Sequence, residues 1–263
     1  MRVLVGCEES QAVTKAFRAL GHEAFSCDLL PCSGGHPEWH FQQDIIDVIN
    51  GWFDTNEVTI NDNFALKFDV WNDDQEYDYK DKNGSIGALI KQIGWNWDLA
   101  ILFPPCTHLT VSGAMHFEKK KADGKQQQGI DFFMAMINAP IKKVAVENPI
   151  GIMSKHYRKP DQIIQPYFFG DGFTKSTCLW LKNLPLLQHF KQQDLFNSEI
   201  THVPITDTYK EWICKKTGKK KRQASWYYEA LLNAKTKEER STIRSKTFPG
   251  IAKAMAEQWG GKR

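Results

Sequence analysis

Short apolar runs alternate with amphipathic segments along the chain. The first run, residues 3–5, has the pattern of a buried strand and leads into a polar turn at residues 6–9. Ser10 is a candidate N-cap for the helix that follows, and Gly21 is placed to end that helix. The apolar positions on one face of this helix are Val13, Ala16, Phe17 and Leu20. A second strand is predicted at residues 24–27.

A strand, a helix and a second strand of these lengths predict a right-handed βαβ unit and therefore a parallel sheet. The pattern returns with apolar strands at residues 99–103, 144–146 and 178–181 and with a helix at 130–137. After residues 249–250, helical spacing marks a last helix through Ile251, Met255 and Trp259. Together these elements predict one doubly wound α/β domain with helices on both faces of a mostly parallel sheet.

Two regions interrupt this pattern. Residues 50–96 are polar, acidic and aromatic without strong periodicity, which indicates an insertion at the sheet edge that a hairpin could form. Residues 183–245 contain a basic run at 215–222 and then a predicted helix at 224–234. We therefore assign residues 1–182 and 246–263 to the main domain, and residues 183–245 to a small, basic and poorly regular second region.

Composition places the chain among globular proteins. Its 263 residues are 41% apolar and 25% charged, which is enough to bury a core without disulfides or a structural metal. No apolar run approaches the roughly 18 residues of a membrane helix. Acidic residues follow the N-terminal apolar run too closely for a signal peptide. We therefore expect no membrane association, a cytoplasmic location and mostly reduced cysteines.

The charge is unevenly distributed, although the formal net charge is only +3. Six of the eight residues at 215–222 are basic, and Trp226, Tyr227 and Tyr228 follow them. This combination suits phosphate contacts with base stacking. A solvated lysine loop followed by a helix with a buried aromatic face explains it equally well.

Unusual residues stand where four of the predicted strands end. These strand ends carry the segments Gly6-Cys7-Glu8, Asp28, Pro105-Cys106 and Glu147-Asn148. In a parallel sheet, ligands bind beyond the carboxyl ends of the strands. An acid after the second strand suits contact with ribose hydroxyls, although a solvent-exposed turn is the simpler explanation of Asp28.

Cys106 and Glu147 are the strongest candidates for catalysis. Two prolines precede Cys106 and would present its thiol rigidly, although a lone cysteine is more often a core residue. A carboxylate directly after an apolar strand, as at Glu147, is unusual for ordinary surface. Glu147 could donate a proton or bind the ring nitrogen of a base.

The motif Pro104-Pro105-Cys106, followed by Glu147-Asn148-Pro149 on the next strand end, resembles the cytosine-C5 methyltransferase family. Among its members, the chain is similar to the small DNA cytosine methyltransferases of phages and prophages. The matching blocks are VLVGCEES, CDLLP, FPPCTHL, VAVENPIG, KSTCLWL and KTFPGIAKAMAEQW. The resemblance implies a Rossmann-like fold with S-adenosylmethionine as cofactor, and a host-cytoplasmic location if a phage encodes the chain.

By position, the resemblance implies that seven residues surround the cofactor: Gly6, Cys7, Glu8, Asp28, Asp44, Pro105 and Gly250. The first three would line its methionine end. Asp28 would bind the ribose hydroxyls, and Asp44 would lie near the adenine. Pro105 would also touch the cofactor, and Gly250 would close the pocket.

The resemblance also implies methylation of carbon 5 of cytosine in DNA by a protein that is a monomer by default. The Cys106 thiolate would attack carbon 6 of a flipped cytosine, with Glu147 on ring nitrogen 3. Lys175 stands where the family usually has arginines that contact the pyrimidine and its phosphate. The basic residues expected to contact DNA are Lys119, Lys120, Lys121, Lys219, Lys220 and Arg222.

Several features keep other interpretations open. Thr107 replaces the common glutamine, Lys175-Ser176-Thr177 replaces a double arginine, and the recognition region is short. Two alternatives remain. One is the same chemistry on RNA or a free cytidine nucleotide, and the other is a non-catalytic protein that binds cofactor or DNA. A zinc site is a weaker alternative, because Gly34-Gly35 between its ligands is typical of an ordinary turn, and we expect no metal. Its four ligands, spaced C-x4-C-x3-H-x3-H, would be Cys27, Cys32, His36 and His40.

Overall fold

A computed structural model describes residues 1–50, 97–110, 117–192, 198–214, 217–236, 239, 243–245 and 247–261. Its centre is a seven-stranded sheet in the order β3-β2-β1-β4-β5-β7-β6. The strands are β1 (Arg2–Gly6), β2 (Glu23–Cys27), β3 (His40–Phe41), β4 (Leu99–Leu102), β5 (Lys143–Pro149), β6 (Gln162–Ile164) and β7 (Thr177–Lys182). Strands β1 to β5 run parallel, and β7 is antiparallel to both β5 and β6. This mostly parallel sheet is Rossmann-like, which confirms the predicted α/β fold class.

Helices and two small antiparallel strand pairs complete the described part of the chain. The helices are α1 (Ala12–Ala19), α2 (Ile45–Ile49), α3 (Phe117–Ala122), α4 (Lys125–Ile137), α5 (Met153–His156), α6 (Ser225–Asn233) and α7 (Pro249–Gly260). Short 3-10 helices occupy Pro37–Trp39 and Pro166–Phe169. Strand β8 (Phe190–Gln192) pairs with β9 (Ser198–Ile200), and β10 (Tyr209–Ile213) pairs with β11 (Lys220–Ala224). None of the helices in these residues is long and apolar enough to cross a membrane.

The sheet is buried on both faces, as its nearly continuous apolar strands require. Successive side chains of β1 point to opposite faces. Leu4 therefore joins a cluster with Phe133 and Trp180. Val3 and Val5 join a second cluster on the other face, which includes residues of α1 and α7. The three apolar residues predicted to mark the last helix, Ile251, Met255 and Trp259, are all buried in this second cluster.

The N-terminus of α1 corrects one prediction. The helix begins after Gln11, which has a left-handed backbone (φ 56°) and makes no side-chain capping bond, so Ser10 is not the N-cap. Instead, the buried carboxylate of Glu8 accepts hydrogen bonds from Val13 N (2.6 Å) and Thr14 N (3.2 Å). These are free N–H groups of the first turn, which a carboxylate satisfies well. At the other end, Gly21 has φ 79° and ends the helix as predicted.

Most of the remaining predictions for secondary structure hold, although the helix predicted at 130–137 begins earlier, at Lys125. The strand predicted at 144–146 continues to Pro149, because β7 pairs with it beyond the end of β4. The helix predicted at 224–234 is α6. Part of the basic run lies in β11, so it is not simply a loop. The predicted insertion at 50–96 lies outside the described residues except for Asn50, which is the C-cap of α2.

Glu8 should give the free energy of unfolding a distinctive pH dependence. Burial raises the pKa of its carboxyl from 4.5 to about 7, against the opposing effect of its hydrogen bonds to Val13 and Thr14. The folded state therefore binds the proton more tightly, and this contribution to stability is lost as pH rises from about 4.5 to about 7. Urea unfolding across this range should show a smaller decline for Glu8→Gln than for the wild type.

The control is Glu118→Gln, which removes an exposed carboxyl on α3. It should leave the pH dependence unchanged. An equal decline in wild type and Glu8→Gln would contradict the assignment of this effect to Glu8.

Candidate functional site

A cavity of about 410 Å³ lies where the carboxyl ends of β1, β2, β4 and β5 meet. The turn after β1, Asp28 after β2, the 103–107 segment after β4 and Glu147 on β5 all line it. Residues 244, 245 and 247, which precede α7, form part of the wall. The expectation that these strand ends share one edge is therefore confirmed. A cavity of this size is typical of a small-molecule site.

The loop that carries Cys106 is fixed from both sides. Asn148, which is buried, donates a hydrogen bond from Nδ2 to the carbonyl oxygen of Pro104 (2.9 Å). Beyond the thiol, Leu109 N and Thr110 N donate to the carbonyl oxygen of Cys106 (2.9 and 3.1 Å). Gly151 lies so close to this turn that a Cβ would stand 2.3 Å from the Leu109 oxygen. The Cys106 loop is therefore held in place by β5 and the turn after it.

Glu147 lies one residue past the last pairing between β4 and β5. Its backbone continues in register with Leu179 of β7, so the strand holds it rigidly at the cavity. Burial raises the pKa of its carboxyl, while Lys175 and a hydrogen bond with Thr177 lower it, and burial prevails. Such a carboxyl keeps its proton to a higher pH than an ordinary glutamate and can present it to a ligand.

Two cations share the cavity wall with these groups. Lys175 lies just before β7, and its Nζ donates to the carbonyl oxygen of Arg244 (3.2 Å). The Arg244 guanidinium lies 3.8 Å from the ring centroid of Tyr227 on α6. Burial and Glu147 raise the pKa of the Cys106 thiol, whereas Lys175 and Arg244 lower it, and the net shift is upward. These cations are therefore the groups that favour a thiolate.

Sequence reasoning missed Arg244. It lies in a polar segment with several other cations, Lys235, Lys237, Arg240 and Lys246, and no spacing distinguishes it from them. Its position just before the helical spacing of α7 was the available signal. The structure places it at the cavity because the chain must enter α7 past the end of the sheet.

Four of the seven residues predicted to surround a cofactor line the cavity: Cys7, Glu8, Asp28 and Pro105. The Glu8 carboxylate is already engaged with α1. Asp28 Oδ1 accepts from Leu30 N (2.9 Å), and burial raises the pKa of this carboxyl. The hydrogen bond from Leu30 therefore orients the Asp28 carboxylate, which still lines the cavity.

The other three, Gly6, Asp44 and Gly250, are not among the residues that line this cavity. Asp44 is the N-cap of α2 and accepts from Ile46 N (2.8 Å). A Cβ on Gly6 would stand 2.6 Å from a Leu102 methyl carbon, and one on Gly250 would stand 2.1 Å from the Phe169 oxygen. Capping and close packing explain these residue types, and their roles toward a cofactor remain predictions.

The basic residues predicted to contact DNA fall into two groups. On α3, which includes Lys119, Lys120 donates to the Thr107 oxygen at the cavity rim and Lys121 pairs with Glu118 (3.0 Å). Near β11, Lys219 is exposed, Lys220 pairs with Glu211 (2.6 Å), and Arg222 stacks on Tyr209. The two groups lie on separate elements.

The zinc alternative is not supported. Both ring nitrogens of His40 have partners, Ser26 Oγ (2.8 Å) at Nδ1 and the Leu30 oxygen (2.9 Å) at Nε2. The Cys27 thiol donates to the Gln43 oxygen (3.3 Å). Within the described residues, no group of three or more His, Cys, Asp or Glu side chains could hold a metal ion.

Comparisons with known proteins add little. No protein-family model matches the chain, and no curated protein matches it significantly. One similar solved structure is that of a candidate DNA modification methyltransferase encoded within a prophage of E. coli. The match has a TM-score of 0.41 and 12% identity, and it covers 88% of this chain but only 64% of the other. The chain thus spans less than two thirds of that protein, and the assignment of the fold rests on the strand order.

Charge at the cavity should control the reactivity of Cys106. Arg244→Gln removes a cation that lowers the thiol pKa, and Glu147→Gln removes a carboxyl that raises it. At pH 8, alkylation of Cys106 by iodoacetamide should slow in the first variant and accelerate in the second, each by roughly threefold to tenfold. Mass spectrometry of the Cys106 peptide measures the rate without interference from the other five cysteines.

The matched control is Lys253→Gln, which removes an exposed cation from α7. It should not change the rate. A shift of both variants in the same direction would indicate altered access to the thiol and would contradict the electrostatic explanation.

Proposed function

We propose that this protein is an S-adenosylmethionine-dependent methyltransferase that methylates carbon 5 of cytosine in DNA. The observation that carries the proposal is the shared cavity of Cys106, Glu147 and Lys175 at the carboxyl edge of a methyltransferase-type sheet. A nucleophile, a proton-holding carboxyl and a cation in one enclosure are the groups that this reaction requires.

The residues around the cavity fit the proposed cofactor. Its volume of about 410 Å³ is in the range of small-molecule sites. Asp28, after β2, offers a carboxylate suited to ribose hydroxyls. Phe103 and Pro105 provide apolar wall beside Cys106. When bound, S-adenosylmethionine supplies an electrophilic methyl group at its sulfonium.

The side chains of this chain would then perform the steps on cytosine. The Cys106 thiolate attacks carbon 6, which makes carbon 5 nucleophilic. Glu147, whose carboxyl pKa is raised by burial, donates a proton to ring nitrogen 3 and stabilises the adduct as charge develops there. After carbon 5 is methylated, loss of its proton restores the double bond and expels the Cys106 thiolate. Lys175 and Arg244 favour the Cys106 thiolate both when it attacks carbon 6 and when it is expelled.

DNA is the proposed substrate because cations lie on two elements outside the group of reacting residues. Lys120 reaches the rim through Thr107, and Lys220 and Arg222 lie on β11. A free nucleotide would need no cations so far from the reacting groups. A target base in a duplex must be flipped from the stack into the cavity.

Methyl transfer from labelled cofactor tests this proposal directly. Duplex DNA, RNA and cytidine nucleotides are offered separately, and the products are digested and identified by mass. We expect 5-methylcytosine in DNA. Glu147→Gln should lower the rate by about 10²- to 10⁴-fold, because it removes the proton donor to the ring. Cys106→Ala should give no product.

A duplex that contains 5-fluorocytosine isolates the covalent step. Fluorine cannot leave carbon 5 as the proton does, so the adduct with Cys106 should accumulate and survive denaturation. The control is Cys178→Ala, which removes a buried thiol of β7. Label in RNA or nucleotides alone would overturn DNA as substrate. Cofactor binding without any product would favour a binding protein over an enzyme.

Asp28 provides a test of the cofactor site alone. Asp28→Ala should weaken binding of S-adenosylmethionine by about tenfold or more, because hydrogen bonds to a charged group are lost. Isothermal titration calorimetry measures this without turnover. Asp131→Ala, at an exposed position on α4, is the control and should bind like the wild type. Equal affinities for all three proteins would place the ribose elsewhere.

A further inference from the structure

Strands β10 and β11 form an exposed hairpin whose two faces differ. Residues paired across the strands share a face. Trp212 pairs with Lys221, and the Trp212 ring lies 5.9 Å from that of Tyr228 on α6, so this face packs toward the helix. The opposite face contains Glu211 paired with Arg222 and Ile213 paired with Lys220. We call these four residues the ribbon face.

The ribbon face presents polar groups that are already oriented. The Arg222 guanidinium lies 3.5 Å from the ring centroid of Tyr209, and Lys220 forms an ion pair with Glu211. Ile213, at the far end, is 69% exposed. A guanidinium held against a ring has lost part of its freedom before it binds, which lowers the entropic cost of recognition.

The base of the hairpin is anchored beside the cavity. Ser225 N, at the end of β11, donates to the Thr208 oxygen (2.7 Å). Trp226 Nε1 donates to the oxygen of Thr174 (3.4 Å), the residue before Lys175. The Tyr209 hydroxyl lies 3.4 Å from Thr174 Oγ1. The hairpin is therefore attached next to the lysine that lines the cavity.

Charge indicates what the ribbon face binds. Residues 209–224 contain seven lysines and arginines and one acid, a net charge of +6 in a chain of net charge +3. Such a segment attracts a polyanion. The major groove of B-DNA is about 12 Å wide and admits a two-stranded ribbon, whereas the major groove of A-form RNA is too narrow. Duplex DNA is the partner that fits.

We propose that the ribbon face enters the major groove of duplex DNA beside the target cytosine, and that Arg222 there reads the edge of a base. Arginine can form two parallel hydrogen bonds to guanine, which makes it the most frequent reader in that groove. The identity of the target base rests on the proposed function. Insertion of the ribbon face into the groove is independent of the proposed function, because DNA binding can be measured without methyl transfer.

The test uses the full chain and a short fluorescein-labelled duplex of mixed sequence, titrated by anisotropy at several salt concentrations. Arg222→Ala and Lys220→Ala should each weaken binding by about fivefold or more and reduce the salt slope by about one. Lys253→Ala removes an equal charge from α7 and should match the wild type. Circular dichroism confirms that each variant is folded.

Arg222→Lys separates base reading from phosphate contact, because lysine keeps the charge but not the planar fork. Bisulfite sequencing of a methylated plasmid should show relaxed sequence preference for this variant at near wild-type affinity. An unchanged preference would overturn base reading by Arg222. Insertion of the ribbon face into the groove would be contradicted if both alanine variants bound DNA as tightly as Lys253→Ala. Tighter binding to an RNA duplex of the same sequence would contradict it as well. Salt-dependent binding through the ribbon without methylcytosine would support this inference and contradict only the proposed function.

Discussion

One hydrogen bond joins the two halves of the candidate site. The Asn148 side chain donates to the Pro104 oxygen and so ties the end of β5 to the loop that presents Cys106. Since Glu147 precedes Asn148 on a strand held by β7, the same contact sets the position of the carboxyl relative to the thiol. The Asn-Pro sequence after Glu147 is therefore part of the scaffold. A residue without a side-chain donor there would remove one of the contacts that hold the loop against β5.

Burial has opposite consequences for the two candidate reacting groups, Cys106 and Glu147. It removes water from Cys106 and Glu147 and raises the pKa of both. For Glu147 this is useful, because a protonated carboxyl can donate to a ring nitrogen. For Cys106 it disfavours the thiolate, and Lys175 and Arg244 only partly compensate. The phosphates of a bound nucleic acid would attract Lys175 and Arg244 away from Cys106. The thiol would therefore be most reactive if both cations stayed close to its sulfur.

The sequence predicted the parts of the fold that depend on periodicity. The paired strands β1 and β2, helix α7 and the convergence of Cys106 and Glu147 followed from apolar runs and the rule for parallel sheets. The cap of α1 did not, because Glu8 reaches forward to Val13 from outside the usual capping positions. Arg244 did not either, because it arrives at the cavity through a segment without periodicity. Local patterns predict elements well, but contacts between distant segments require the assembled sheet.

The distribution of charge supports separate roles for the sheet, which carries the candidate reacting groups, and the hairpin, which carries a concentrated positive charge. With +6 in residues 209–224, the rest of the chain carries a net charge of −3. A uniformly basic protein would bind a polyanion in many orientations. A chain whose positive charge is concentrated in one segment favours the orientation that turns that segment toward the polyanion. Because Thr174 and Trp226 fasten the hairpin next to Lys175, an orientation that turned the proposed ribbon face toward a duplex would turn the cavity toward it as well.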